Sequence, residues 1–125
     1  MARVRSKNMR PELMVRKLVF ALGYRYRLHG RDLPGCPDVV FRSRRKVIFV
    51  HGCFWHRHEN CALARLPKSR LDFWKPKLEG NRERDEKIKR ALYRRGWKVL
   101  TVWECQLKET RRLESRIRRF LDAER

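Results

Sequence analysis

At 125 residues the chain has room for one domain built on one core. Its 34 Lys and Arg against 14 Asp and Glu give a net charge of +20, which a chain this small carries without strong self-repulsion only against a polyanion. Nucleic acid is the first such partner and an anionic membrane surface the second, but apolar runs such as Val47 to Val50 are far too short to span a bilayer.

The N-terminus, MARVRSKNMRPE, starts basic but leads into no apolar stretch or small-residue cleavage site. It reads as free of a signal peptide, which implies a cytosolic, reducing compartment. Residues 1–125 read as one domain, with 1–10 a short basic arm. The first helix is expected from Pro11 to Leu22, capped by Ser6 or Asn8 and ended by Gly23, with Met14, Leu18, Ala21 and Leu22 on its apolar face. Tyr24 to Leu28 alternates as a half-exposed strand does, and a turn-rich stretch ends in LPGCPD. Asp38 to Phe41 and Lys46 to Val50 follow as two strands joined by a polar turn. The continuous run VIFV places the second of them in the sheet centre. His51 to Cys61 loses all periodicity, and 68–80 is irregular or partly helical. Asn81 caps a helix that runs to Arg95, with Ile88, Ala91 and Leu92 on one face and Gly96 as terminator. Trp97 to Trp103 is a second central strand, and Leu113, Ile117, Phe120 and Leu121 mark a last amphipathic helix. The order α-β-β-β-α-β-α implies an α/β fold, a mixed sheet with helices on its faces.

Cys53, His56, His58 and Cys61 fall within nine residues, C-x2-H-x-H-x2-C, and Cys105 follows the last strand. Four cysteines in a reducing compartment point to metal before disulfides, and zinc takes four Cys or His ligands in a tetrahedron. Five candidates are one too many. The bland alternative makes Cys53 and Cys105 small buried hydrophobes and the histidines surface groups; Cys36 reads as a turn residue. Upstream, Asp38 opens one strand beside a second that ends in His51. A carboxylate at such a sheet edge can hold Mg²⁺, which keeps room for water and phosphate oxygens and so suits phosphodiester hydrolysis. His51 and His56 flank Cys53, and imidazole suits general-base work near neutral pH. Giving His56 that task leaves Cys53, His58, Cys61 and Cys105 for zinc. Glu12 could support the carboxylate, although alone it reads as a first-turn helix charge. Basic residues run from Arg3 to Arg125, interleaved with Phe54, Trp55, Phe73 and Trp74, as on a folded binding surface. Large aromatics there can wedge into a base stack, or can close small clusters under the loop. Trp97 and Trp103 read as core.

The strings LPGCPDVVF, VIFVHGCFWHRHENC, FWKPKLEGNRERD and GWKVLTVWEC together resemble the very short patch repair (Vsr) endonucleases, from about Arg5 to Cys105. The resemblance implies a fold related to the PD-(D/E)xK restriction enzymes. It implies Mg-dependent nicking of one strand beside the thymine of a T·G mismatch left by 5-methylcytosine deamination, with a cytosine-5 methyltransferase as companion. By motif, Asp38 is similar to the magnesium carboxylate, with the backbone carbonyl of Val50 completing the protein ligands. His56 is similar to the water-activating base, His51 to an assisting imidazole and Glu12 to a supporting acid. Cys53, His58, Cys61 and Cys105 resemble the structural zinc set. Phe54, Trp55 and Trp74 resemble the DNA wedge, and Asn81 a DNA contact. The second-strand carboxylate and lysine of the PD-(D/E)xK pattern are replaced by Val50 and His51. Two other readings stay open: a non-catalytic zinc module that binds nucleic acid, and a restriction-type nuclease that cuts matched DNA. With no clear dimer surface, a monomer is expected.

Overall fold

The computed structural model describes residues 10–56, 58, 61, 62, 65 and 68–123. The elements run α1 (Pro11–Ala21), β1 (Arg27–Leu28), β2 (Val39–Phe41), β3 (Lys46–His51), α2 (Leu71–Arg94), β4 (Lys98–Trp103), a 3-10 turn (Glu104–Lys108) and α3 (Thr110–Asp122). The expected order is the observed one, with the 3-10 turn added. Ser6, Asn8 and most of the basic arm lie outside the described residues. The N-cap of α1 is Arg10, whose side chain makes no capping bond, with Pro11 in the first helical position. Gly23 ends α1 as expected: at φ +99° it lets the Tyr24 N–H return to the Val19 carbonyl. The buried face of α1 is Val15 and Val19, with Leu18 and Leu22 against it, whereas Met14 is exposed.

The strands form one four-stranded sheet in the order β1-β2-β3-β4. β1 and β2 are antiparallel, as are β2 and β3, with Val39 opposite Ile48. β3 and β4 run parallel, from Lys46 beside Lys98 to His51 beside Trp103. Among the described residues β4 is therefore an end strand, not a central one. Its apolar run reflects cover on both faces: Val102 joins one core and Val99 packs against the other. Alternation along the strands separates these cores. Val39, Phe41, Ile48 and Val102 face α1 and α3, and meet Leu113, Ile117 and Leu121. Val40 and Val47 face α2 and meet Leu92 and Trp97. β1 is shorter than its alternation suggested because the Tyr24 ring is drawn into the core, where its hydroxyl donates to Asp122 at 2.8 Å.

The largest departure is α2, which begins ten residues before the expected cap at Asn81. Pro76, Gly80 and Asn81 read as helix breakers, yet the helix runs through all three. Pro76 lies close to the helix start and forgoes one backbone bond, and burial of Leu78 compensates nearby.

Lys46, the first residue of β3, is 1% exposed. Its ammonium donates to the carbonyls of Phe120 at 2.6 Å and Ala123 at 2.5 Å, and the Arg44 guanidinium donates to Leu121 at 2.9 Å. These are the last carbonyls of α3, which have no partners within the helix and sit at its negative dipole end. The buried cation thus clamps the final helix onto the strand whose other end is His51. Replacing Lys46 by Met keeps the volume and strips the donors, so Lys46→Met is expected to lower stability by about 2 kcal/mol, measured by urea unfolding.

Candidate active site

A cavity of about 560 Å³ lies between α2 and the sheet, at the end of the sheet where β3 and β4 finish. Asp38, Val50, His51, His56, Asp85 and Lys89 are among its lining residues. Asp38 arrives from the LPGCPD turn, in which Gly35 (φ +74°) and Cys36 (φ +48°) take left-handed backbone. The turn is closed by the Gly30 N–H on the Pro37 carbonyl and the His29 N–H on the Asp38 carbonyl. A Cβ on Gly35 would lie 2.5 Å from Ile88 of α2, so only glycine fits there. The Asp38 carboxylate accepts the Val50 N–H at 2.7 Å. Burial pushes its carboxyl above the ordinary range, the Val50 bond opposes this, and the nearby Glu12 charge adds to the rise. Glu12 on α1 thus acts on Asp38 electrostatically from outside the cavity lining.

His51 ends β3 and His56 sits in the turn that follows, closed by its own N–H on the Gly52 carbonyl. The two imidazoles stack with centroids 3.9 Å apart and planes 5° from parallel. His56 Nδ1 lies 2.5 Å from Asp85 Oδ2, whereas His51 Nδ1 is 3.9 Å from that oxygen and has no hydrogen-bond partner among the described residues. Burial first, and the neighbouring His56 second, lower the His51 pKa to about 4, so this ring is neutral near pH 7. Of the two stacked rings, His56 is the one that meets the carboxylate. Sequence reasoning missed Asp85. The signal was its place three residues before Ile88 and seven before Leu92, which puts an acid on the apolar stripe of the helix.

The second cluster is Cys53, His58, Cys61 and Cys105, whose ligand atoms all lie within 4.8 Å of one another and could hold a metal ion. His56 stands apart from it, with His51 and Asp85, so the fifth of the five candidates separates by geometry. Cys105 is supplied by the 3-10 turn after β4, and its sulfur lies 3.5 Å from His58 Nδ1. The Glu104 carboxylate accepts the Cys53 N–H at 3.3 Å, which ties the loop to the end of β4. Burial, first, and the other thiols push the Cys53 thiol up to about 12, and Cys105 is raised too. Trp103 is not core, as the sequence suggested: its indole stacks on His58, 4.1 Å between centroids and 7° between planes, and it lines the cavity. Trp97 is buried, as expected.

Phe54, Trp55 and Trp74 meet in one cluster with centroids 5.1 to 5.9 Å apart, although Trp74 comes from α2. Trp55 is 48% exposed and Phe73, beside Trp74, is 45% exposed. The aromatics therefore form a surface patch rather than a buried plug. Asn81 does not cap a helix; its side-chain amide donates to the Trp55 carbonyl at 3.1 Å and so pins the patch to α2.

A model of the family described as DNA mismatch endonuclease Vsr matches residues 1–63. The Type II nicking enzyme V.XorIIP of Xanthomonas oryzae pv. oryzae is 57% identical over 122 residues, 98% of this chain and 89% of that protein. V.NmeAIP, a Type II nicking enzyme of Neisseria meningitidis, is 41% identical over 97% of this chain and 86% of its own length. The DNA mismatch endonuclease Vsr of Escherichia coli is 42% identical over 87% of this chain and 74% of its own length. The shared stretch runs through the Asp38 turn, the His51–His56 pair and the cysteine cluster, and on that footing the chain belongs to the Vsr family of DNA mismatch endonucleases.

Proposed function

We propose that the protein nicks one strand of duplex DNA beside the thymine of a T·G mismatch, using magnesium at Asp38 and His56 as the base. The observation that carries this is the opening of Asp38, His51, His56 and Asp85 into one cavity, with His56 bonded to Asp85. The nicking activity named in the relatives and the mismatch named in the family description support the substrate. A cytosine-5 methyltransferase, whose product deaminates to thymine, is the proposed functional companion, and the protein acts as a monomer. No helix among the described residues is long and apolar enough to cross a membrane.

The residues fit both metals. A carboxylate that is largely buried, satisfied by one backbone N–H and near a second acid lacks only a cation, and Asp38 meets that description. Asp38 with the Val50 carbonyl would hold Mg²⁺, which when bound polarises the phosphate and stabilises the leaving oxygen. Three thiols and an imidazole within tetrahedral reach fit Zn²⁺, with Cys53, His58, Cys61 and Cys105 as its holders. The zinc role is structural. The described residues of the stretch after His51 lie in no strand, and the cluster ties them to the 3-10 turn.

The Asp85 carboxylate accepts a hydrogen bond from His56 Nδ1–H, which fixes the tautomer and leaves Nε2 free to take a proton from water. The water oxygen bonds to phosphorus as the phosphorus–oxygen bond to the sugar breaks. The new positive charge on His56 rests against Asp85, and the stacked, neutral His51 does not oppose it. The exposed Phe54–Trp55–Trp74 patch enters the base stack, where a mismatch lowers the cost of unstacking. Arg70, Lys75 and Lys77 border that patch along the start of α2 and engage the phosphate backbone.

On a duplex with one T·G mismatch, Asp38→Ala is expected to abolish nicking while leaving binding largely intact. Binding without cleavage by the unaltered protein would instead favour a non-catalytic nucleic-acid module, and equal cleavage of matched duplex a restriction-type nuclease. His56→Ala is expected to slow single-turnover nicking by about 100- to 10,000-fold. Asp85→Asn should slow it too, and the double variant should be little slower than His56→Ala, because the carboxylate acts through the ring. Removing magnesium should stop turnover with the circular dichroism spectrum unchanged, whereas stripping the tighter metal should unfold or aggregate the protein. A spectrum that survives complete zinc removal would refute the structural role.

A further inference from the structure

Four charged α2 residues at helical spacing, Arg82, Asp85, Glu86 and Lys89, line the cavity with Ile88. Asp85 is engaged by His56, and Arg82 already has an interaction partner. Lys89 differs from both. It is half-buried, it lines the cavity beside Val99 and Thr101 of β4, and its charge acts on His51. Among the described residues no carboxylate lies within ion-pair distance of its ammonium. Its helix neighbours Lys87 and Arg90 are exposed to solvent and do not line the cavity.

An ammonium that gives up part of its water and, among the described residues, pairs with none of Asp38, Asp85 and Glu86 in the cavity it shares with His51 and His56 is arranged for an anion that arrives from outside. The strongest anionic group on a nucleic acid strand is the phosphate. We propose that Lys89 binds the scissile phosphate from the α2 side of the cavity, donating through Nζ to a non-bridging oxygen opposite Asp38. This rests on the nuclease reading of the same cavity and adds a residue to it. As water attacks, negative charge grows on the non-bridging oxygens, and an ammonium held there stabilises that state more than the ground state. A four-carbon stem can pack along apolar surface while its charged end reaches the reacting group, and Lys89 lines the cavity together with Val99 of β4. Lys89 is therefore a catalytic residue by contact with the substrate, distinct from the cations around the aromatic patch, which grip the backbone at a distance from the chemistry.

The test compares Lys89→Met, Lys89→Arg and Lys87→Met in the protein as purified, on a duplex carrying one T·G mismatch with Mg²⁺. Single-turnover nicking by Lys89→Met is expected to fall about 100-fold, the scale for losing one oxyanion donor, while the duplex Kd rises less than about tenfold. Lys89→Arg should recover most of the rate, and Lys87→Met should stay within about twofold of the unaltered protein. A second readout needs no cleavage: inorganic phosphate is titrated in while the imidazole resonances of His51 and His56 are followed. Shifts in the unaltered protein that vanish in Lys89→Met support the assignment. If the unaltered protein fails to nick but these shifts depend on Lys89, the mismatch-nickase reading falls and the phosphate contact stands. Nicking by Lys89→Met at the unaltered rate, a loss matched by Lys87→Met, or a phosphate response that survives in Lys89→Met would each overturn the assignment.

Discussion

The contact between His56 and Asp85 joins the loop after β3 to α2, beside the Asn81 bond to the Trp55 carbonyl and the packing of Trp74 on Phe54 and Trp55. His56 stands in a turn closed by its own N–H on the Gly52 carbonyl, and Asp85 on the middle of the longest helix. A hydrogen bond between an imidazole and a carboxylate is directional, so it fixes ring rotation and loop height together. The stack of His51 on His56 then carries that position to the end of β3, where the parallel pairing with β4 is firm. The chemistry depends on α2 lying at one angle across the sheet, and the packing of Leu92, Ile88 and Trp97 against Val40 and Val47 sets that angle.

The charge distribution supports a division of labour. Most of the 34 basic side chains face solvent, where they repel one another at low salt and attract a polyanion. The fully buried cation is spent on structure: Lys46 closes the end of α3. The acids that matter are few and placed inward. Asp38 and Asp85 line the cavity, one from the turn before β2 and one from α2. A protein this basic thereby keeps a local concentration of negative charge where cations are needed.

The element order and the grouping of candidate residues were legible because they rest on local signals. The apolar run VIFV, the glycines after α1 and α2 and the crowded His and Cys between 51 and 61 each announce themselves within a few residues. What could not be read depends on partners far away in the chain. The start of α2 was hidden because Pro76, Gly80 and Asn81 weigh against helix locally, and the burial of Leu78 that offsets them comes only with the folded chain. Asp85 was hard to single out because it lies in a run of seven charged and polar residues, Asn81 to Lys87, where only its spacing from Ile88 and Leu92 marks the face that meets His56. Trp103 misled for the opposite reason: its apolar strand suggested core, but its place at the end of β4 makes it a platform for His58. The cluster made by Phe54, Trp55 and Trp74 likewise needs the fold to bring a helix residue to a loop.

Gly35 sits where the turn before Asp38 touches α2, and its missing side chain lets the backbone rest against Ile88. That contact sets the width of the chamber, since one wall moves with the turn and the other with the helix. A single added methyl group would act as a wedge between them, prising the aspartate wall from the histidine-bearing side without altering any polar group. The gauge of the whole reaction vessel is thus kept by a hydrogen atom, in a residue that performs no chemistry of its own.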